Sequence, residues 1–300
     1  MKNFILLVCM PSIVLGSCYV NFTPVVQEYD KIPMTRNHNV CKQLTDSVIL
    51  YAIFVDADIY HPWTEFDIQG ALDSIHKGTD WLENQASQFD KSLKVKVIAH
   101  KQGAKQTIYE KRAKASLTLN GIMALKKRHY RKLMPWADAI SQYAGRGLRY
   151  KSSSKVQQRL KIENTETLNL ALRDSYMCEN IAIMFFVNGY YENHPSYSFY
   201  TETNTQQVEY SIVTNKNPAV ITHEFMHLFG AVDLYPNFNY PNFNYPELEQ
   251  KHPNDIMNIQ HKEITKLNIS PITSYFIGWQ DTLDKANTRL LLHKNVLQNY

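Results

Sequence analysis

Cysteine, long apolar runs and nucleic-acid-binding signatures are all scarce in this chain. Four cysteines in 300 residues are too few for a disulfide-rich scaffold. Although His38 precedes Cys41 by three residues, no activated-thiol motif surrounds Cys41 or Cys178, so cysteine nucleophilic catalysis is a poor reading. The N-terminal apolar run, residues 4–15, is too short to cross a bilayer and is interrupted by Pro11. An apolar content of 44% points to neither disorder nor a polytopic membrane protein. No nucleic-acid-binding fold signature accompanies the basic residues. The length suits one large domain or two small ones, with a real core.

What is present begins with an export segment. Lys2, the apolar run and the small pair Gly16-Ser17 follow the order of a signal peptide over residues 1–17. Leu15-Gly16-Ser17-Cys18 also resembles a bacterial lipobox, which makes Cys18 a candidate for lipidation. The expected destinations are therefore free secretion, or a cell-envelope lipoprotein that meets the membrane only through its lipid. Cys41 and Cys178 are left as a candidate disulfide of the exported protein. Residues 18–45 read as a linker, 46–280 as the folded domain and 281–300 as a C-terminal tail.

Charge is uneven. Residues 101–161 hold 16 Lys and Arg against Glu110 and Asp138, while the whole chain carries only +4, so the rest is net acidic. The basic segment is read chiefly as a solvated helical insertion. The competing reading is a docking site for a polyanion.

The element pattern predicts an α+β domain. Residues 48–55 are continuously apolar, as a strand buried on both faces requires. Thr64 and Asp67 cap a helix whose apolar residues Ile68, Leu72, Ile75 and Leu82 keep helical spacing. Residues 93–97 alternate like a half-wet strand. The stretch 101–176 is least legible, with helices expected near 117–133 and 165–176. Strands follow at 181–187, 197–203 and 208–213. Asn217 and Pro218 then open a helix of about four turns. A tandem Tyr-Pro-Asn-Phe-Asn repeat from Tyr235 and Tyr240 marks a loop, with solvent or a pocket wall as its surroundings, and a last helix runs near 272–279.

That four-turn helix carries the chemistry. His223 and His227 stand one helical turn apart, so both imidazoles reach one ion. Glu224 follows the first ligand, placed to take a proton without being a ligand itself. Gly230 can end the helix in a left-handed conformation, after which Asp233 can swing back as third ligand. A different third ligand, Glu247 or Glu249 further downstream, is the alternative.

The run from His223 to Asp233, together with Asp255-Ile256-Met257-Asn258, resembles the metzincin clan of zinc endopeptidases. Aspartate as third ligand is similar to the snapalysin-type peptidases. The resemblance implies a zincin-like fold: a twisted mixed sheet packed on an active-site helix, here with the basic insertion at about 101–176. It implies Zn²⁺ held by His223, His227 and Asp233, a Met-turn at Met257 beneath the metal, and hydrolysis by a zinc-bound water with Glu224 as general base. Protein or peptide substrates would lie along an edge strand, for which 197–203 is the candidate. Two features depart from the clan. Ile259 stands where many relatives have tyrosine, and no cysteine-switch motif surrounds Cys41. Two competing classes stand beside the peptidase. One is a catalytically inactive zinc-binding envelope protein gripping an acidic partner through the basic segment, and the other an envelope-binding module.

Overall fold

The computed structural model describes residues 44–57, 62–101, 105–113, 133–146, 148, 161–188, 196–199, 208–236, 243–258 and 262–291. The expected signal segment, Cys18, Cys41 and Ile259 lie outside the described residues, as does most of the basic stretch. No described helix is long and apolar enough to cross a membrane.

A strand without polar alternation has to be covered on both sides, and β1 (Asp46–Asp56) is. Val48, Leu50, Ala52 and Phe54 enter one core, and Ile49, Tyr51, Ile53 and Val55 enter a second on the opposite face. Helix α1 (Glu65–Gln88) follows, capped by Thr64, whose hydroxyl accepts from the Asp67 N–H while Asp67 reaches back. Next come β2 (Leu93–Ala99), β3 (Thr107–Tyr109), α2 (Leu133–Gly145), α3 (Thr165–Tyr176), β4 (Asn180–Val187), β5 (Tyr197–Phe199) and β6 (Tyr210–Val213). Helices α4 (Pro218–His227), α5 (Tyr245–Lys251), α6 (Pro271–Phe276) and α7 (Lys285–Leu290) complete the order.

The sheet runs β2-β1-β4-β6-β5, with β3 also pairing to β1 beyond the end of β2. All its pairs are parallel except β5–β6, so the sheet is mixed and the protein is α+β. Beneath one face lie α1, α4 and the C-terminal elements. Helices α2 and α3 cover the other.

Two expectations need correction here. The region 101–176 is not simply an insertion beside the site, because its described parts form one layer of the fold. Leu133, Trp136, Ala137, Ile140 and Ala144 recur at helical spacing and bury against the sheet, and β3 adds a strand. The helix expected at 117–133 is seen only from Leu133 onward, with 114–132 outside the described residues. The second correction is the expected tail. Leu283, Leu290 and Leu291 are buried in the first core, so packing continues past residue 280. Three leucines at that spacing have too much apolar surface to stay in water.

Cys178 is a free, buried thiol donating to the Ser47 carbonyl at 3.3 Å. Its candidate partner Cys41 is outside the described residues.

Candidate metal centre

Helix α4 is entered sharply. The Asn217 side chain accepts from the Ala219 N–H at 2.9 Å, and Pro218 occupies the first helical position. The helix has ten residues, closer to three turns than four. Its stop is Gly230, whose φ of 94° belongs to the left-handed region that glycine adopts without strain. The Ala231 N–H then returns to the Met226 carbonyl at 3.2 Å, folding the chain back under His227.

That reversal builds the site. His223, Glu224 and His227 are only 2%, 6% and 5% exposed. The His227 ring donates through Nδ1 to the Ala231 carbonyl at 2.8 Å, and His223 through Nδ1 to the Ile256 carbonyl at 3.0 Å. With both Nδ1 atoms facing carbonyls, both Nε2 atoms turn inward, 3.0 Å apart. Asp233 Oδ1 closes the triangle at 3.2 Å from His223 Nε2 and 3.1 Å from His227 Nε2. Tyr235, half-buried two residues on, stacks over the His223 ring with 6.1 Å between centroids.

Three lone-pair-bearing atoms at van der Waals separation repel unless something positive sits among them. Two cations can do so, a proton or a metal ion. The proton's signature is visible in the acid–base balance of the site. Burial pushes the His227 imidazolium down, but the Asp233 carboxylate outweighs burial and holds it up at about 9. Burial likewise opposes ionised Asp233, yet the two imidazoles hold that carboxyl well below its usual range. For a metal ion, ligand bonds of about 2.0–2.1 Å in a tetrahedron require donors about 3.3 Å apart. The observed edges are within a few tenths of an ångström of that. Two nitrogen donors and one oxygen donor, with the imidazoles oriented by carbonyls, fit a divalent metal ion.

The remaining sequence candidates fall as follows. Met257 is fully buried, and its carbonyl accepts from the Leu234 N–H at 2.9 Å, tying its turn to the residue after Asp233. Glu247 and Glu249 do not join the triangle. Glu247 pairs with Lys251 at 3.0 Å, Glu249 is exposed, and the only group of converging ligands among the described residues is His223, His227 and Asp233. Of the candidate edge strand, Tyr197–Phe199 is outermost in the sheet, while 200–207 lie outside the described residues.

Sequence reading missed three residues. Ser198 on β5 sits 2.6 Å from Glu224 Oε2, and Ser211 on β6 sits 3.0 Å from the Glu224 carbonyl. Asp255 is fully buried and accepts from the Met257 N–H at 2.7 Å, the Ser270 N–H at 2.7 Å and the Thr273 hydroxyl at 2.8 Å. Apart from the local contact of Asp255 with Met257, inside the motif already quoted, no local pattern announces these contacts.

Compared with models of protein families, with curated proteins and with solved structures, the chain finds no match in any of the three.

Proposed function

We propose that this protein is an exported zinc-dependent endopeptidase built on a metzincin-like plan. The observation that carries the reading is the triangle of His223 Nε2, His227 Nε2 and Asp233 Oδ1 with edges of 3.0–3.2 Å, adjoined by a buried glutamate on the same helix. When bound, zinc lowers the pKa of a water ligand and polarises a carbonyl. His223, His227 and Asp233 would hold the ion. Glu224 accepts a proton from the attacking water and passes it to the leaving amine. Strand β5, outermost among the described strands, is the proposed place for an extended peptide substrate. Tyr235, against the His223 ring, borders the same space.

The test uses the mature protein, zinc-loaded, against a peptide library read by mass spectrometry. Wild type is expected to carry about one zinc and to produce defined cuts that 1,10-phenanthroline stops. Glu224→Ala is expected to keep the zinc and lose the cuts. Zinc-loaded wild type without any cut sites sinks the peptidase reading and leaves a metal-binding protein.

A further inference from the structure

We infer that Ser198 is a positioning residue, fixing the Glu224 carboxylate through a hydrogen bond from strand β5. The inference rests on the peptidase reading above and deepens it. Side chains alternate along a strand, so in three-residue β5 only Ser198 faces α4, while Tyr197 and Phe199 are in register with Ile212 and Tyr210 of the opposite core. Ser198 is directly paired with Ser211 on β6, their hydroxyl oxygens 2.6 Å apart.

These two hydroxyls supply two protons, and two acceptors of Glu224 await them. The first is its main-chain carbonyl, one of the orphans at a helix C-terminus. The N–H of Leu228 would normally reach it, but donates to Phe225 at 3.1 Å instead. Both hydroxyls reach that carbonyl, Ser198 at 2.8 Å and Ser211 at 3.0 Å, so Ser211 can serve it without Ser198. The Ser198 proton is then available to Oε2 at 2.6 Å, a short charge-assisted bond. A carboxylate this buried, held at one oxygen, is left with a single free oxygen for proton transfer. Because the tether comes from the outermost strand, a peptide paired to β5 and the general base share one rigid element.

The experiment compares wild type, Ser198→Ala, Ser198→Thr and Ser196→Ala, each zinc-loaded. Ser196 accepts from the Thr214 N–H at 3.2 Å and so probes the same strand pair without touching Glu224. Peptide kcat and KM, zinc affinity by chelator competition and metal-free melting are measured for all four. The expected result is a roughly tenfold lower kcat for Ser198→Ala, with KM and zinc affinity within about twofold of wild type. Ser198→Thr, which keeps the hydroxyl, and Ser196→Ala stay within about twofold in kcat. If the alanine variant does not fold, Ser198→Cys, a similar shape with a weaker donor, is expected to melt like wild type with reduced kcat. Wild-type kcat in Ser198→Ala overturns the inference and leaves the peptidase reading standing. A parallel fall of kcat and zinc affinity also overturns it, by assigning Ser198 a purely structural role. Absent turnover in wild type overturns the peptidase reading and this role with it.

Discussion

The His223 ring is aimed by Ile256, whose carbonyl accepts from Nδ1 at 3.0 Å across 33 positions of sequence. One imidazole of the triangle is thus oriented from inside its own chain segment, since His227 uses Ala231 four residues on, and the other from a remote turn. The remote turn is in turn clamped by Asp255, which binds Met257, Ser270 and Thr273 and so joins it to the start of α6.

Asp255→Ala is therefore expected to act at the metal, although Asp255 is no ligand. It removes a fully buried acceptor of three hydrogen bonds, which costs about 3 kcal/mol of stability. It also frees the Ile256 carbonyl, and loss of such an outer partner typically weakens metal binding about 10- to 100-fold. Urea unfolding and chelator competition measure the two effects separately. Lower stability with unchanged zinc affinity would show that His223 is held by its helix alone.

Acid–base behaviour of the triangle gives a second prediction. The His227 pKa is raised from 6.5 to about 9 by Asp233, against the effect of burial. A raised pKa means that the metal-free protein gains stability from this proton below pH 6.5 and loses it as pH climbs through about 9. The depressed Asp233 pKa is the same interaction seen from the carboxylate, and its contribution is lost only in strong acid. Zinc must displace the proton, so its affinity is expected to rise about tenfold per pH unit between 7 and 9. Melting of the metal-free protein should fall across that window, while the zinc-loaded form stays flat. Equal pH slopes for both forms would exclude a proton in the triangle.

The motif on α4 was readable because its parts are local. Two histidines at helical spacing, a capping asparagine and a stopping glycine each act within a turn of their neighbours. The central strands β1 and β4 were equally plain, since a fully apolar run of eight residues has few other fates. Ser198 and Asp255 were illegible for the opposite reason. The Ser198 partner lies 26 residues away, and although Asp255 stands in the Met257 motif, its partners Ser270 and Thr273 lie 15 and 18 residues away at another helix. Strand β3, three residues long, has no period to detect. Helix α2 was not read, since Pro135 in its first turn looks like a break, and the helix expected at 117–133 lies outside the described residues except for Leu133.

Close approach of α1 to the metal helix depends on Gly78. A methyl group there would overlap the Thr222 hydroxyl and lie 3.2 Å from the Pro218 carbonyl. Thr222 immediately precedes His223, and its own hydroxyl is tied to Pro218 at 2.8 Å, so it has little room to yield. Gly78→Ala improves helix propensity by about 1 kcal/mol, yet overpacking costs about 1–3 kcal/mol. Net destabilisation by up to about 2 kcal/mol is expected in chemical denaturation, with a weaker zinc affinity. A stabilised variant would show that α1 and α4 can separate freely.

A last prediction concerns acid stability away from the metal. His100 directly follows β2, is 2% exposed, and meets the Tyr51 hydroxyl through Nδ1 at 3.0 Å, while its buried Nε2 has no hydrogen-bond partner among the described residues. Burial pushes its pKa down from 6.5 to about 4. The unfolded chain therefore binds this proton more readily than the folded one between those values, and stability must fall as pH drops from 6.5 towards 4. The shift corresponds to about 3 kcal/mol at most. His100→Gln removes the titration, and its unfolding free energy is expected to decline less steeply than that of wild type between pH 6.5 and 4. Metal-free protein is the form to use, so that zinc release at low pH does not contribute to the slope. Parallel declines for the two proteins would mean that carboxylates elsewhere set the acid limit and that His100 accepts its proton without cost.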